Sequence, residues 1–416
     1  MEINTGKDKR DDKVLKVTDD VTWIGVLDYD IVTFDIVMHT EFGTTYNSYF
    51  INAEKKTVIE AAKKKFSDVH INKLRSLTDP SEIQYIVLDH TEPDHSGNIG
   101  DLLELAPEAT VVGSGNAIRY LADIINKPFK SLIVKDGDTL DLGNKTLQFV
   151  SAPNLHWPDS MFTYLVEDKV LFTCDFFGAH YCSDEMINDF SDDYLGAYKY
   201  YFDVIIKPFS RFAARALEKI APLGIKTICP GHGPIHFDNI EELVTMTGKY
   251  ANNYLAITSI KEVKNIMVMY ISAYGYTRTM AEQIANGIKS VPNMNVSLLD
   301  IEDLPLGELE SEVVRADAML VGSPTINQNT LLPVYRLFSV INPIRDRAKV
   351  AGSFGSYGWS GEAPRIINDT MKNLKIKVFE EQGLFKFYPG EDKEAALVEF
   401  GKKFAEFVTA ECYQKL

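Results

Sequence analysis

Four side chains able to bind a metal fall within six residues, in His90-Thr91-Glu92-Pro93-Asp94-His95. The preceding run, Tyr85–Asp89, reads as a buried strand, and Pro93 prevents further pairing. Positions 90 and 92 can point one way while 94 and 95 turn toward a neighbouring point, which suits two metals close together. Three further pieces lie downstream. His156 follows a strand ending near Ser151, Asp175 closes the apolar run Leu171-Phe172-Thr173-Cys174, and His232 sits in Cys229-Pro230-Gly231-His232-Gly233-Pro234. Each is a strand end followed by turn residues, a common place for sites. Taken singly, a strand-end Asp is a turn former and a lone His a hydrogen-bonded residue. The dense cluster at His90 gives them weight as ligands. His232 and His236 have the spacing of a helical zinc pair, but Gly233 and Pro234 argue against a helix there.

A second constellation lies near the C-terminus. A strand ends in Ser272-Ala273-Tyr274-Gly275-Tyr276-Thr277, with a helical pattern after it. Hydroxyls, a glycine and free N–H groups at a helix start make an anion cradle. The Gly-Lys-Ser/Thr of a nucleoside triphosphate loop is missing, so a phosphate monoester without a metal fits better. The competing reading is a plain capped helix, with Thr279 and Glu282 as a capping box. Two later strands run into Gly322-Ser323-Pro324-Thr325-Ile326-Asn327 and Gly355-Ser356-Tyr357-Gly358-Trp359-Ser360-Gly361. Strand ends one, three and four form the edge at which a flavodoxin-like sheet holds FMN. Expected contacts are Ser272, Tyr274, Gly275, Tyr276 and Thr277 at the phosphate. Ser323, Pro324, Thr325, Asn327, Ser356, Tyr357, Gly358, Trp359 and Gly361 would flank the ring. Tyr357 and Trp359 can stack on it.

The elements that must position these residues fall into two patterns. The first half reads as short strands at Trp23–Asp28, Val32–Met38, Thr45–Ile51, Tyr85–Asp89, Thr110–Gly113, Ser131–Val134, Thr146–Ser151, Phe162–Glu167, Val170–Cys174 and Lys226–Cys229. Helical patterns lie between some of them, as at Ile118–Ile125 and Ala213–Ile220, so a layered α/β or α+β domain is expected. From about residue 263 strands and helices alternate regularly. Strands are expected at Ile266–Ile271, Asn295–Asp300, Ala318–Gly322, Val350–Phe354 and Ile376–Phe379, and Met280, Ile284 and Ile288 mark a helix. That implies a doubly wound parallel sheet. All eight histidines precede residue 240, consistent with domains at 1–262 and 263–416 and metal chemistry confined to the first.

Composition narrows the classes. The 416 residues carry 43 basic and 59 acidic side chains, a formal charge of −16. No long basic block exists to neutralise a nucleic-acid backbone, and Lys63-Lys64-Lys65 reads as the outer side of a helix. No apolar run is long enough for a membrane span, and the charged stretch Met1 to Asp20 is unlike a secretory signal. A cytoplasmic protein is expected, so the Asn-x-Ser/Thr triplets at Asn144, Asn295 and Asn368 carry little meaning. Cys174, Cys182, Cys229 and Cys412 form no Cys-x-x-Cys pair, which argues for reduced thiols and against a disulfide framework or a cysteine-bound cluster.

The first constellation resembles the metallo-β-lactamase fold, whose signature is His-x-His-x-Asp-His followed by a His, a bridging Asp and a last His. Here Glu92 replaces the second His, and carboxylate in place of imidazole favours iron over zinc. Both constellations in this order resemble the flavodiiron proteins, or A-type flavoproteins, from about residue 20 to the end. The resemblance implies an α/β chain with an N-terminal metallo-β-lactamase-like αββα domain and a C-terminal flavodoxin-like domain. It implies two irons: one on His90, Glu92 and His156, the other on Asp94, His95 and His232, with Asp175 bridging. In some members the counterpart of His95 turns away. Many members have Asn where Tyr276 stands. The implied activity is reduction of dioxygen to water through FMN, with nitric oxide reduction to nitrous oxide as the alternative and a hydrolase as a distant one. No cysteine pair follows the flavin loops, so a separate donor of rubredoxin or flavin reductase type is expected. A head-to-tail homodimer, or a dimer of dimers, is expected to bring one subunit's FMN to the other's irons.

Overall fold

The computed structural model describes residues 13–34, 38–259, 262–388 and 390–412. The charged residues 1–12 and the middle of the expected Val32–Met38 strand lie outside the described residues. The chain divides into two compact units, Met1–Tyr254 and Leu255–Leu416. The division falls inside the helix Ile240–Thr258, somewhat before the boundary expected at residue 262.

The first unit stacks two sheets. One runs Leu15–Lys16, Val21–Trp23, Tyr49–Ile51, Thr57–Ile59, Tyr85–Leu88, Thr110–Gly113 and Lys130–Ile133 across its width. Its last four strands are parallel. The other runs Thr139–Asp141, Thr146–Ser151, Met161–Leu165, Val170–Cys174 and Thr227–Pro230. Alternation along the strands sorts the layers. Val87, Val112, Leu147, Phe149, Val170 and Phe172 pack between the sheets. Ile86, Leu88 and Val111 turn outward onto Leu74, Leu102 and Leu121. Val150, Leu171 and Ile228 turn the other way, onto Ala213, Ile220 and Leu243. Helices therefore cover both outer faces, giving the expected αββα order.

Three expected strands are each broken in two. Val32–Met38 gives Thr33–Phe34 and Met38–His39, which pair antiparallel with each other. Trp23–Asp28 splits into Val21–Trp23 and Val26–Asp28, and Thr45–Ile51 into Thr44–Tyr46 and Tyr49–Ile51. The halves still pair, Val21–Trp23 with Tyr49–Ile51 and Val26–Asp28 with Thr44–Tyr46, so the two chains leave the sheet together. Asn47 sits at the break. Its Oδ1 accepts from Trp23 Nε1 (2.9 Å) and Thr45 Oγ1 (2.8 Å), and its amide donates to Pro230 O and Gly233 O. A fully satisfied buried amide thus ties the break to the loop carrying His232. The Thr57–Ile59 strand was not expected, because its three buried residues are too few to show a period.

The second unit is a parallel sheet in the order Met294–Asp300, Lys264–Tyr270, Ala318–Gly322, Val350–Tyr357, Lys377–Val378. It is wrapped on one face by helices Tyr276–Lys289 and Glu391–Cys412 and on the other by Leu306–Arg315, Leu332–Val340 and Ala363–Asn373. The last strand was expected whole over Ile376–Phe379. It forms over Lys377–Val378, and after the polar run Glu380-Glu381-Gln382 an unexpected further strand, Gly383–Lys386, also pairs parallel with Val350–Tyr357. Cys174, Cys182 and Cys229 are buried thiols outside any disulfide among the described residues, and the side chain of Cys412 lies outside those described. Among the described residues no helix is long and apolar enough to cross a membrane.

One buried imidazole makes the first unit sensitive to acid. His70 is enclosed, with Nε2 2.9 Å from Ser48 Oγ and Nδ1 2.9 Å from the Asn98 amide. Burial, aided by the Lys73 charge, pushes its pKa down to about 3. An unfolded His titrates near about 6.5, so below that pH the unfolded chain takes up a proton that the folded one does not. Stability is full above the unfolded value and is lost as the pH falls toward the folded one. Urea midpoints should therefore drop steadily below about pH 6.5. His70→Gln should flatten that slope by up to about 1.4 kcal/mol per pH unit; an unchanged slope would contradict the assignment.

Candidate metal centre and flavin cradle

The metal-binding candidates of the first unit gather at one end of its two sheets. The Tyr85–Leu88 strand delivers His90 and Glu92, and Pro93 then opens the single-turn helix Pro93–Ser96, which carries Asp94 and His95. Thr146–Ser151 leads to His156, Val170–Cys174 to Asp175, and Thr227–Pro230 to His232. The register of Val170–Cys174 slips between Phe172 and Cys174, and Cys174 takes φ +46°, which re-aims Asp175 at the strand end.

All seven side chains meet in two lobes around Asp175. Asp175 Oδ2 lies 3.2 Å from His156 Nε2 and 3.5 Å from His90 Nε2, and Glu92 Oε2 is 3.2 Å from both imidazoles. Asp175 Oδ1 lies 3.1 Å from His95 Nε2 and 3.5 Å from His232 Nε2. Asp94 Oδ2 is 3.4 Å from His95 and 3.0 Å from His232. Donors held about 2.1 Å from one ion stand about 3.0 to 3.4 Å apart, so these spacings match ligands around shared cations. Buried oxygens Asp94 Oδ1 and Asp175 Oδ2 have no hydrogen-bond partner, which a cation would satisfy. Each lobe offers two imidazoles and one carboxylate and shares a second carboxylate. That donor set is the one non-haem iron favours. His236 stands apart, hydrogen-bonded to Asn188 and Phe177 O, as a structural residue.

Sequence reasoning missed the residues that hold the ligands in place. Asp159 is fully buried, and its Oδ2 faces His90 Nδ1 (3.2 Å) while accepting from Thr91 N (2.8 Å) and Thr91 Oγ1 (2.7 Å). Such a carboxylate fixes the tautomer and orientation of a metal-binding imidazole. It follows His156 by three positions in His-Trp-Pro-Asp, so a strand-end signal was present. Thr45 O takes His232 Nδ1 at 2.5 Å. The Tyr201 hydroxyl donates to Asp175 Oδ1 (3.0 Å), from a helix, Asp192–Tyr201, that gave no such signal. It is followed by a π-helical turn, Phe202–Ile206, a device frequent at functional sites.

The second unit assembles the other constellation at the carboxyl ends of its strands. The helix after the first strand begins at Tyr276, not at Thr279, and its cap is Gly275 at φ +81°. The capping-box reading is therefore wrong: Thr279 lies inside the first turn and donates back to Gly275 O (3.2 Å). Ser272 Oγ accepts from Arg278 N (3.2 Å), and Thr277 Oγ1 is 3.0 Å from Ser356 Oγ, tying the first loop to the fourth. Thr325 N donates to Ser356 O (2.9 Å) and Thr325 Oγ1 accepts from Ala363 N (3.1 Å). Ser323 and Pro324 are buried, Asn327 is exposed at φ +52°, and Gly358 and Gly361 line the fourth loop. A Cβ on Gly275 would meet open space, and only its positive φ demands glycine. Tyr274 (80% exposed) and Trp359 (78%) project at this rim, and Tyr357 is half-buried. Phe387 and Tyr388, which follow the unexpected Gly383–Lys386 strand, join them. Tyr388 packs edge-on against Tyr276 at 5.8 Å. Free amides at a helix start beside exposed aromatic faces fit a flavin mononucleotide.

Comparison with known proteins decides the family. Residues 44–233 match the ODP family beta lactamase model, and residues 268–401 match Flavodoxin. The flavo-diiron protein FprA2 of Clostridium acetobutylicum is 39% identical over 400 residues, covering 95% of this chain and 99% of that one. The chain belongs to the flavodiiron (A-type flavoprotein) family. Type A flavoprotein fprA of Rhodobacter capsulatus is 35% identical, with 94% and 90% covered. Among solved structures, the rubredoxin oxygen:oxidoreductase of Desulfovibrio gigas superposes with a TM-score of 0.68 at 26% identity, covering 96% of this chain and 100% of that one. The flavodiiron protein of Giardia intestinalis gives 0.65 at 28%, with 96% and 98% covered. This flavodiiron chain is thus an oxidoreductase that uses a di-iron centre and FMN.

The candidate ligands of this flavodiiron protein lie within ion-pair distance of one another. Burial opposes charging of His95, but the Asp94 and Asp175 carboxylates raise its pKa to about 10. His156 is likewise raised to about 9, burial being outweighed by Asp175 and Glu92. Glu92 is lowered to about 2, with burial outweighed by His156 and His90. Iron must therefore displace protons from imidazoles. Protonation competes more strongly as pH falls, so affinity rises with pH. Anaerobic ferrous titrations should show proton release and tighter binding as the pH is raised between about 6 and 9. Asp159→Ala should weaken binding by about 10- to 100-fold; pH-independent affinity, or an unaffected variant, would contradict this geometry.

Proposed function

We propose that this chain reduces dioxygen to water at a di-iron centre held by His90, Glu92, Asp94, His95, His156, Asp175 and His232. The observation that carries the reading is the two-lobed cluster divided by the two oxygens of Asp175. When bound, two ferrous ions supply two electrons and reduced FMN two more, matching the four that dioxygen requires.

The chain's own residues do the rest. A cavity of about 460 Å³ reaches Tyr201 and His180 from the surface, past Thr40, Phe42 and Gly196. Its volume is ample for a diatomic molecule with water. Burial raises the Tyr201 pKa well above the usual range, with the Asp175 charge adding to it. The hydroxyl therefore keeps its proton and donates a hydrogen bond to Asp175 Oδ1. Burial, with the His232 charge, holds His180 neutral. Its Nδ1 pairs with Thr44 Oγ1 (2.8 Å), while Nε2 is buried without a partner and is available to a ligand in the cavity. Glu41, Asp192 and Asp193 line the same cavity and supply the carboxylates through which protons reach it.

The flavin cradle is read as Ser272, Tyr274, Gly275, Tyr276 and Thr277 at the phosphate. The loops containing Ser323, Pro324, Thr325 and Asn327, and Ser356, Tyr357, Gly358, Trp359 and Gly361, flank the ring. Free amides and hydroxyls in the first loop support this, and the exposed aromatics support a rim that meets other surfaces. A separate donor protein of rubredoxin or flavin reductase type would reduce FMN. A head-to-tail second copy would pass its electrons to the metals of this one.

Donor-reduced, iron-loaded protein should consume dioxygen faster than nitric oxide and yield water, not peroxide. His90→Ala and Asp175→Ala should abolish turnover and leave FMN bound. Faster nitrous oxide formation would make nitric oxide the substrate. No consumption of either gas, with both cofactors present, would contradict the reading.

A further inference from the structure

His95 is an expected ligand whose outer nitrogen is enclosed and unpaired. Its Nε2 faces Asp175 and Asp94, but its Nδ1 is buried without a hydrogen-bond partner. By contrast, His90 is anchored on its far side by Asp159 and His232 by Thr45 O. Two neighbours of His95 stand out.

The first is Gly231. A Cβ built there would lie 2.7 Å from His95 Cε1, the ring carbon between the two nitrogens, and 3.0 Å from the Cys174 carbonyl carbon. The backbone cannot recede to make room. Gly231 N donates to Cys174 O (2.5 Å), and Gly231 O accepts from Asn47 N (2.9 Å). Pro230 O accepts from both the Asn47 amide and the Tyr49 hydroxyl, each at 2.8 Å. The imidazole thus occupies space that any side chain at 231 would take.

The second is Glu60. It is 2% exposed, and its Oε1 accepts from Asp89 N at 2.7 Å, at the end of the strand that leads to His90. Its Oε2 is buried with no partner. An imidazole nitrogen of His95, a carboxylate oxygen of Glu60 and Cys174 Sγ lie within 4.8 Å of one another. Of these two neighbours, the thiol is the weaker partner for an imidazole N–H. The next residue, Ala61, donates its N–H to His95 O (2.9 Å), so this segment already holds the His95 backbone.

We propose that Gly231 and Glu60 are positioning residues that keep His95 turned onto the metal pair, Gly231 by leaving the space the ring needs and Glu60 by setting an unpaired carboxylate oxygen beside the ring. They decide whether the second lobe has two imidazoles or one. The inference rests on the di-iron reading above. A metal-binding imidazole whose outer nitrogen is held by a carboxylate binds more tightly than a free one. A ring pressed outward by a Cβ would lose its place altogether.

The test compares the wild-type full-length chain with Gly231→Ala, Glu60→Gln and His95→Ala. The readouts are anaerobic ferrous titration, Mössbauer spectra of the loaded protein and FMN content. Glu60→Gln is isosteric and serves where Gly231→Ala does not fold. Its single amide oxygen satisfies Asp89 N, leaving the NH₂ in place of the unpaired carboxylate oxygen. Both variants should lose about 10- to 100-fold in affinity for one of the two irons. They should match His95→Ala in Mössbauer signature and keep the other iron and FMN at wild-type levels. Wild-type affinity for both irons in Gly231→Ala and Glu60→Gln would overturn the proposal. So would full binding of both irons by His95→Ala. A wild-type chain that binds no iron pair would instead overturn the di-iron reading itself.

Discussion

The first unit turns on one carboxylate. Asp175 is fully enclosed, and each of its oxygens faces a different pair of imidazoles. A buried carboxylate in that position is tolerable only if positive charge surrounds it, whether from protonated imidazoles or from metal ions. The bulge and left-handed backbone at Cys174 exist at the end of an otherwise regular buried strand, and they serve to aim this side chain. The ligand-bearing ends of the other strands converge on the same point. Asn47, Asp159 and Tyr201 then hold the loops and rings around it.

The consequence is a site whose charge is balanced by design of its surroundings. Three carboxylates and four imidazoles stand at the candidate ligand positions, so opposite charges are close to balanced there. Tyr201 links this cluster to the cavity, because the same residue that donates to Asp175 also lines the route in from solvent. The second unit follows another logic. The loop proposed to hold the phosphate offers backbone N–H at a helix start and is tied by hydroxyl contacts to loops far apart in sequence, such as Thr277 with Ser356.

Much of this was legible before any coordinates. The His90 cluster is dense enough to read directly, and the downstream candidates each follow an apolar strand. The parallel sheet of the second unit followed from regular alternation of buried runs and helices. The unread parts share a cause. Glu60 looks like any acid after a short strand, and its importance comes from enclosure by residues distant in sequence. Tyr201 lies on a helix rich in tyrosine, where nothing local separates the one that reaches Asp175 from those that pack in the core. Asn47 is a turn former by type, yet here it interrupts two strands at once and satisfies four hydrogen bonds. The further strand of the second unit, Gly383–Lys386, was hidden because it is short and follows three polar residues.

The most direct test of this account is whether Asp175 joins two irons into one electronic unit. EPR and Mössbauer spectra of iron-loaded, half-reduced protein would report it. The account predicts a spin-coupled mixed-valence pair, lost in Asp175→Ala while FMN remains bound. Two magnetically independent irons, or a single iron per chain, would contradict it.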